Sequence, residues 1–150
     1  ERILMNRDIA CRIAGLNFNR HSGAHLYRAA QEGIAFSFRY GLDIMKETGI
    51  DPGVIRAGHA NMFLSPVFRE ALSSITGVEI HLYNTDGSVG AARGAGIGCG
   101  FYESEKEAFA GLMEVGVTYP DETKADAYGS AYSVWENHLG SVFVQSTVPL

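Results

Sequence analysis

Between Val54 and Tyr83 the chain alternates strand, helix and strand signals, and this alternation constrains the fold more than any other feature. "VIRA", Val54 to Ala57, reads as a short strand. It is entered through the turn "IDPG", where Pro52 fixes φ and Gly53 is free to take a positive one. The loop "GHANMFL" follows, and then a helix predicted from Pro66 to about Thr76. Ser65 suits the N-cap, and Pro66 suits the first helical position, where a missing N–H costs nothing. Phe68, Leu72 and Ile75 supply its buried face, and Gly77 its stop. "VEIHLY" then alternates, with Val78, Ile80 and Leu82 on one side. Strands separated by a helix pair in parallel, so the expectation is an α/β domain with a largely parallel sheet.

The flanks are read with the same rules. Ile9 to Leu16 is predicted as a short strand, and "NFNRHSG" as a loop. A long helix is predicted from about His25 to Glu47, with Ser22 as N-cap and Gly49 as stop. Leu26, Ala30, Ile34, Phe38, Leu42 and Met45 form one apolar stripe along it. Gly33 and Gly41 lie inside, each costing ~1 kcal/mol against alanine, which suggests another backbone close by. "NTDGS" is a turn rich in capping side chains. The run "GSVGAARGAGIGCGF" is intrinsically poor helix and makes sense only if packed tightly, backbone against backbone. "SEKEAFAGLMEV" reads as a short helix. "PDETKADAYGSAYSVWENHL" reads as a terminal helix with Tyr128, Tyr132 and Trp135 on one stripe, and Ser141 to Leu150 as frayed or strand-like.

With 150 residues, 46% of them hydrophobic and 19% charged, the chain suits one globular domain. No apolar run approaches the length of a membrane span, and no basic stretch precedes an apolar one, so a cytoplasmic location is expected. The net charge of -5, with scattered Lys and Arg, argues against nucleic acid and anionic membranes as partners. Cys11 and Cys99 have no metal-ligand spacing and read as reduced, packed thiols. The chain opens on Glu1 within a charged-apolar pattern, so a piece of a longer polypeptide is expected.

Most chemistry-bearing patterns are absent. Glycine is abundant, 18 residues against a typical ~7% of a chain, and six fall between Gly87 and Gly100. Yet Gly94, Gly96 and Gly98 give G-x-G-x-G, and Cys99 occupies the position a dinucleotide fingerprint would need as glycine. There is no P-loop and no G-x-S-x-G elbow. The run is equally a packing device or a surface beside a ligand. The histidines, His21, His25, His59, His81 and His138, show no zinc-site pattern, and no metal is expected. The loop after "VIRA" is better placed, because ligands of parallel α/β sheets sit beyond the carboxyl ends of the strands. Gly58 and Ala60 present little side chain to a flat ligand, and Asn61 offers a donor and an acceptor to a purine edge or ribose. The competing reading is that Gly58 makes a turn and Asn61 satisfies loop amides.

Three segments in order carry a resemblance. "HLYRAAQEGIAFSFRYGLDIM", His25 to Met45, resembles the second signature of the FGGY carbohydrate kinases, His-hydrophobic-x-Arg-Ala-x-x-Glu-Gly-Ile-Ala-Phe. "AGHANMFLSPVFREAL" resembles the adenosine motif of that family, Gly-Gly-Gly-Ala followed by Lys/Arg-Ser-Pro. "TDGSVGAARGAGIG" resembles its Glu-x-x-x-x-Gly-Ala-Ala-x-x-Ala segment, and the Ala-Gln-Glu-Gly-Ile-Ala-Phe wording of the first segment is most similar to the xylulokinase branch. The resemblance implies an actin-like, ribonuclease H-like fold with a mixed sheet flanked by helices. It implies that residues 1–150 are most of the C-terminal nucleotide-binding domain of a sugar kinase, with the N-terminal sugar domain and catalytic loop elsewhere. The activity implied is phosphorylation of D-xylulose to D-xylulose 5-phosphate with ATP and Mg²⁺. Partners are then ATP and, through the other domain, the sugar; a homodimer is allowed. The alternatives are another FGGY kinase, acting on gluconate or glycerol, and a non-catalytic actin-like interaction module.

By resemblance, Gly58 lies against the nucleotide base, with Ala57, His59 and Ala60 as neighbouring contacts. Asn61 aligns with an asparagine that contacts the base in related glycerol kinases, whose motif also runs Asn-x-Phe-Leu. The departures are specific. Ala57-Gly58-His59 replaces the triple glycine, and the loop before Ser65-Pro66 is a little longer. Asp86 stands where glutamate is usual and is given only a capping role. The family's catalytic aspartate belongs to a Gly-x-Gly-Asp motif that this sequence does not contain, so no catalytic residue is assigned here and the isolated chain is expected to be inactive.

Overall fold

The computed structural model describes residues 4, 6 and 9–145 of the chain. The elements run α1 (Gly23–Glu47), β1 (Val54–Gly58), a 3-10 turn (Asn61–Leu64), α2 (Pro66–Thr76), β2 (Glu79–Tyr83), α3 (Gly87–Gly98), α4 (Glu105–Ala108), β3 (Glu114–Thr118), a 3-10 turn (Glu122–Lys124) and α5 (Ala125–Gln145).

The central strand–helix–strand unit forms as expected. Ser65 Oγ accepts from the Phe68 N–H at 3.3 Å, Pro66 opens α2, and Gly77 ends it in the left-handed region at φ 70°. Phe68, Ala71 and Leu72 are fully buried and Ile75 nearly so. Val78, just before β2, and Ile80 and Leu82 on it face inward together. Each such large side chain removed from water stabilises by about 1.5–3 kcal/mol. The crossover through α2 makes β1 and β2 parallel, with Ile55 opposite Ile80 and Ala57 opposite Leu82. α1, α2 and α5 share one core cluster with β2, in which Ala35 and Phe36 of α1 meet Tyr128 and Tyr132 of α5.

The helix–helix seams also carry polar ties. The Tyr132 hydroxyl donates to Asp43 at 2.9 Å, and the Arg39 guanidinium lies 4.3 Å from the Tyr132 ring centroid. Arg39 also donates to the Ile75 carbonyl at the end of α2, at 3.0 Å. Ser73, fully buried, donates to the Val78 carbonyl at 2.8 Å, so the α2–β2 turn is closed from inside.

Several expectations change. Ile9 to Leu16 forms no strand: Ala10 and Gly15 sit at positive φ, 56° and 72°, which breaks an extended run. The stripe assigned to α1 is not its buried face. Ile34, Phe38 and Met45 are exposed, and the face that packs centres on Ala35 and Phe36, with Arg39 and Asp43 below them. Packing aromatics from α5 selected that face over the more apolar one. Gly33 and Gly41 meet no other backbone, since an added Cβ would find nothing within 4 Å.

The glycine-rich α3 is not packed tightly either: none of its residues is buried. Of its glycines, Gly96 alone is crowded, and by the Tyr102 ring. α3 forms because Asp86 caps it, accepting from Val89 N–H at 2.9 Å. "SEKEAFAGLMEV" divides: α4 stops at Ala108, Gly111 turns at φ 81°, and Glu114 begins a strand. β3 pairs antiparallel with β2, so the sheet is mixed, in the order β1-β2-β3. Asn84 clasps that junction. Its N–H donates to the Met113 carbonyl at 3.0 Å, and its Oδ1 accepts from Met113 N–H at 2.7 Å. The terminal helix runs to Gln145, so residues 141–145 are helical rather than frayed, and residues 146–150 lie outside the described residues. Cys11 and Cys99 are exposed, not packed.

Candidate functional site

A cleft of about 440 Å³ opens beyond the C-terminal end of β1 and is bordered by Ala57, Gly58, Ala60 and Asn61. The loop that forms it is held by its own backbone. The His59 N–H donates to the Tyr83 carbonyl at 2.8 Å, extending the β1–β2 ladder by one bond. The Ala60 N–H turns back to the Gly58 carbonyl at 2.8 Å, and the Phe63 N–H bonds the Ala60 carbonyl at 3.1 Å to start the 3-10 turn. Asn61 sits at φ 52°, a left-handed conformation that asparagine tolerates better than most residues.

Two side chains brace this loop from below. Arg69 of α2 donates to the Phe63 carbonyl at 2.6 Å, and Ser65 donates to Gln31 Oε1 of α1 at 2.6 Å. α1 and α2 therefore both fix where the loop stands.

Gly58 has a reason of its own. A Cβ there would collide with the Thr85 carbonyl oxygen, at 2.9 Å from the Thr85 carbonyl carbon and 3.0 Å from the Asp86 Cα. Only glycine lets the end of β1 pass the start of α3. Asp86 and Gly87 border the same cleft, so the glycine-rich segment meets the loop at its N-terminus. Asp86 keeps the capping role expected of it.

The structure thus brings four of the five expected residues, Ala57, Gly58, Ala60 and Asn61, to one cleft. His59 stands apart: its backbone joins the ladder and its side chain is exposed. Sequence reasoning missed Phe38, Ile55, Met62 and Phe63, which form the apolar part of the lining. The spacing puts Phe38 on the apolar stripe of α1, and its signal as a lining residue is that α1 carries more apolar surface than one face can bury.

Three of the other four histidines are engaged in structure. His25 Nδ1 accepts from the Ser22 N–H at 3.1 Å and closes the capping box of α1. His21 Nδ1 accepts from the Asn17 N–H at 3.0 Å. His81 lies between Glu114, at 2.6 Å, and Glu79, at 3.3 Å, and the hydrogen bond to Glu114, then that to Glu79, holds its pKa above the usual histidine value. Among the described residues, no group of three His, Cys, Asp or Glu side chains is placed to hold a metal ion. Among them, too, no helix is long and apolar enough to cross a membrane.

The chain is similar to known proteins in sequence and in fold. Residues 2–99 match the family described as the FGGY family of carbohydrate kinases, C-terminal domain. The L-xylulose/3-keto-L-gulonate kinase of Escherichia coli (strain K12) is 31% identical over 127 residues, covering 81% of this chain and 25% of that protein. The xylulose kinase of Haemophilus influenzae is 28% identical over 139 residues, covering 87% of this chain and 27% of that protein. The chain therefore spans about a quarter of the length of these relatives. The crystal structure of xylulose kinase from Rhodospirillum rubrum superposes with a TM-score of 0.72 at 24% identity, over 89% of this chain and 27% of that one. The mixed sheet flanked by helices is accordingly the actin-like ATPase fold. Family match and fold agree: the chain belongs to the FGGY family of carbohydrate kinases.

Proposed function

We propose that the cleft beyond β1 holds the adenosine of ATP, and that the chain is the C-terminal, nucleotide-binding domain of a kinase that phosphorylates D-xylulose to D-xylulose 5-phosphate. One observation carries the reading: Ala57, Gly58, Ala60 and Asn61 converge on a single cleft at the carboxyl end of a parallel strand pair. The small residues leave room for a flat base, and the exposed Asn61 amide offers the paired donor and acceptor that a purine edge needs. The names of the two relatives, an L-xylulose/3-keto-L-gulonate kinase and a xylulose kinase, support a ketose of the xylulose type, and the D-form is our own choice between the two hands.

Phosphoryl transfer depends on positioning and charge neutralisation more than on covalent chemistry. In this reading the residues of the chain bind and orient one end of the nucleotide. When bound, magnesium would neutralise the triphosphate; among the described residues no group of three His, Cys, Asp or Glu side chains is placed to hold it. Asp86 brings a carboxylate to the cleft, but that carboxylate is engaged in capping α3. By the resemblance, the base that takes the sugar proton belongs to a Gly-x-Gly-Asp motif that this sequence does not contain, and the isolated chain is expected to transfer no phosphoryl group.

Calorimetry of the full-length protein with ATP tests the site. Asn61→Ala is expected to weaken ATP by about ten-fold, the order of one charge-free hydrogen-bond pair lost from a binding site. Unchanged affinity refutes the assignment. Turnover of D-xylulose, L-xylulose, gluconate and glycerol by the same protein tests the sugar, and a preference for any of the last three overturns it.

A further inference from the structure

Phe38 is an anomaly of α1. It follows the buried Ala35 and Phe36 by two to three residues, yet its side chain is 45% exposed. It is not loose: its ring stands edge-on to the fully buried Phe68, with centroids 6.1 Å apart and planes at 69°. Phe63, from the 3-10 turn, stands on the same Phe68 at 5.5 Å and 79°. Phe38 and Phe63 are thus two rings seated on one buried support, and both border the cleft. Ile55 and Met62 add to the apolar lining, while Ala57, Gly58 and Ala60 keep the rest of it low.

A half-exposed aromatic, seated by edge-to-face contact at the mouth of a cleft, is suited to a flat π-face rather than to a flexible chain. We infer that Phe38 is the residue on which the nucleobase stacks, with Phe63 as its aromatic neighbour, so that α1 supplies affinity and Asn61 supplies discrimination between bases. This rests on the ATP assignment above and adds a residue outside the loop. Stacking is tolerant of base identity because every base presents a π-face, whereas an amide reads one edge pattern. Phe38 therefore sets how tightly a nucleoside triphosphate is held, and Asn61 sets which one.

The test uses the full-length protein with Phe38→Leu, which keeps apolar volume against Phe68 and removes the ring, and Phe38→Tyr, which restores it. Binding of ATP, GTP and inorganic tripolyphosphate is measured by calorimetry alongside the melting midpoint. Phe38→Leu is expected to weaken ATP and GTP by a common factor of about ten, leave tripolyphosphate unchanged and raise KM for ATP without lowering kcat. Phe38→Tyr is expected to restore both nucleotides. If Asn61→Ala weakens ATP while Phe38→Leu does not, the stacking inference fails and the site stands. If neither variant weakens ATP, both fail. Loss of tripolyphosphate together with ATP, or no recovery in Phe38→Tyr, also overturns the inference.

Discussion

Gly58→Ala is the sharpest perturbation of this fold, because the added atom meets backbone. The new Cβ would lie 2.9 Å from the Thr85 carbonyl carbon and 3.0 Å from the Asp86 Cα. Carbon atoms favour about 3.5–4.0 Å, so the Thr85–Asp86 backbone must retreat by roughly 0.5–1 Å. Overpacking of this kind costs about 1–3 kcal/mol. The retreat also pulls Asp86 from Val89 N–H, and a lost N-cap costs about 0.5–2 kcal/mol. Against this, alanine narrows the unfolded ensemble and returns about 0.4–1 kcal/mol. The net expectation is destabilisation by about 2–3 kcal/mol. Denaturant unfolding followed by circular dichroism measures it, with Gly94→Ala as the control. A Cβ at Gly94 finds nothing within 4 Å, so that variant is expected to gain up to ~1 kcal/mol of stability from helix propensity. A Gly58→Ala midpoint equal to that of the parent protein would refute the close approach and the reason given for this glycine.

Other outcomes are expected on the same footing. Ser65→Ala removes the α2 cap and the bond to Gln31, and should cost about 1 kcal/mol in denaturant unfolding; no loss would mean that Pro66 alone sets the start of the helix. His81 should titrate above its ordinary value by NMR, and Glu114→Gln should lower it, with Glu79 left as the smaller contributor. Because the folded value is raised above the unfolded one, this pairing stabilises fully below about pH 6.5 and fades as pH rises through the folded value. The protection of the β3 amides, taken relative to intrinsic exchange, should therefore fall as pH rises through that value, and Arg56, opposite His81 on β1, should leave the direction unchanged. Tyr132 is held above the ordinary tyrosine range by burial first and by the Asp43 hydrogen bond second. Its share of stability is present below about pH 10 and lost above it, so Tyr132→Phe should flatten the alkaline limb of the unfolding curve.

The strand–helix–strand unit was legible because each boundary carried its own local signal: Pro52, Ser65-Pro66 and Gly77 punctuate it, and the apolar spacing changes period between them. β3 was not, because Glu114 and Gly116 are poor strand formers and Val115 and Val117 are too few to show alternation; pairing with β2 makes the strand. The buried face of α1 was misjudged for a related reason. Arg39 and Asp43 look like surface residues until Tyr132 arrives from nearly a hundred residues away. The loop residues of the cleft were legible as a group through their motif, which is local in sequence. Phe38 and Phe63 were not, because what joins them is Phe68, a shared support that only folding supplies.

The Asn84 clasp has a consequence for how the segment above it can change. Its bonds to Met113 and Gly111 close a loop whose ends are 27 to 29 residues apart, and α3 and α4 both lie inside it. Closing a longer loop at that clasp would cost little, about 0.6 kcal/mol for each doubling of its length. Once past the Asp86 cap, the excursion is free to lengthen, shorten or change sequence while the sheet beneath it keeps its register.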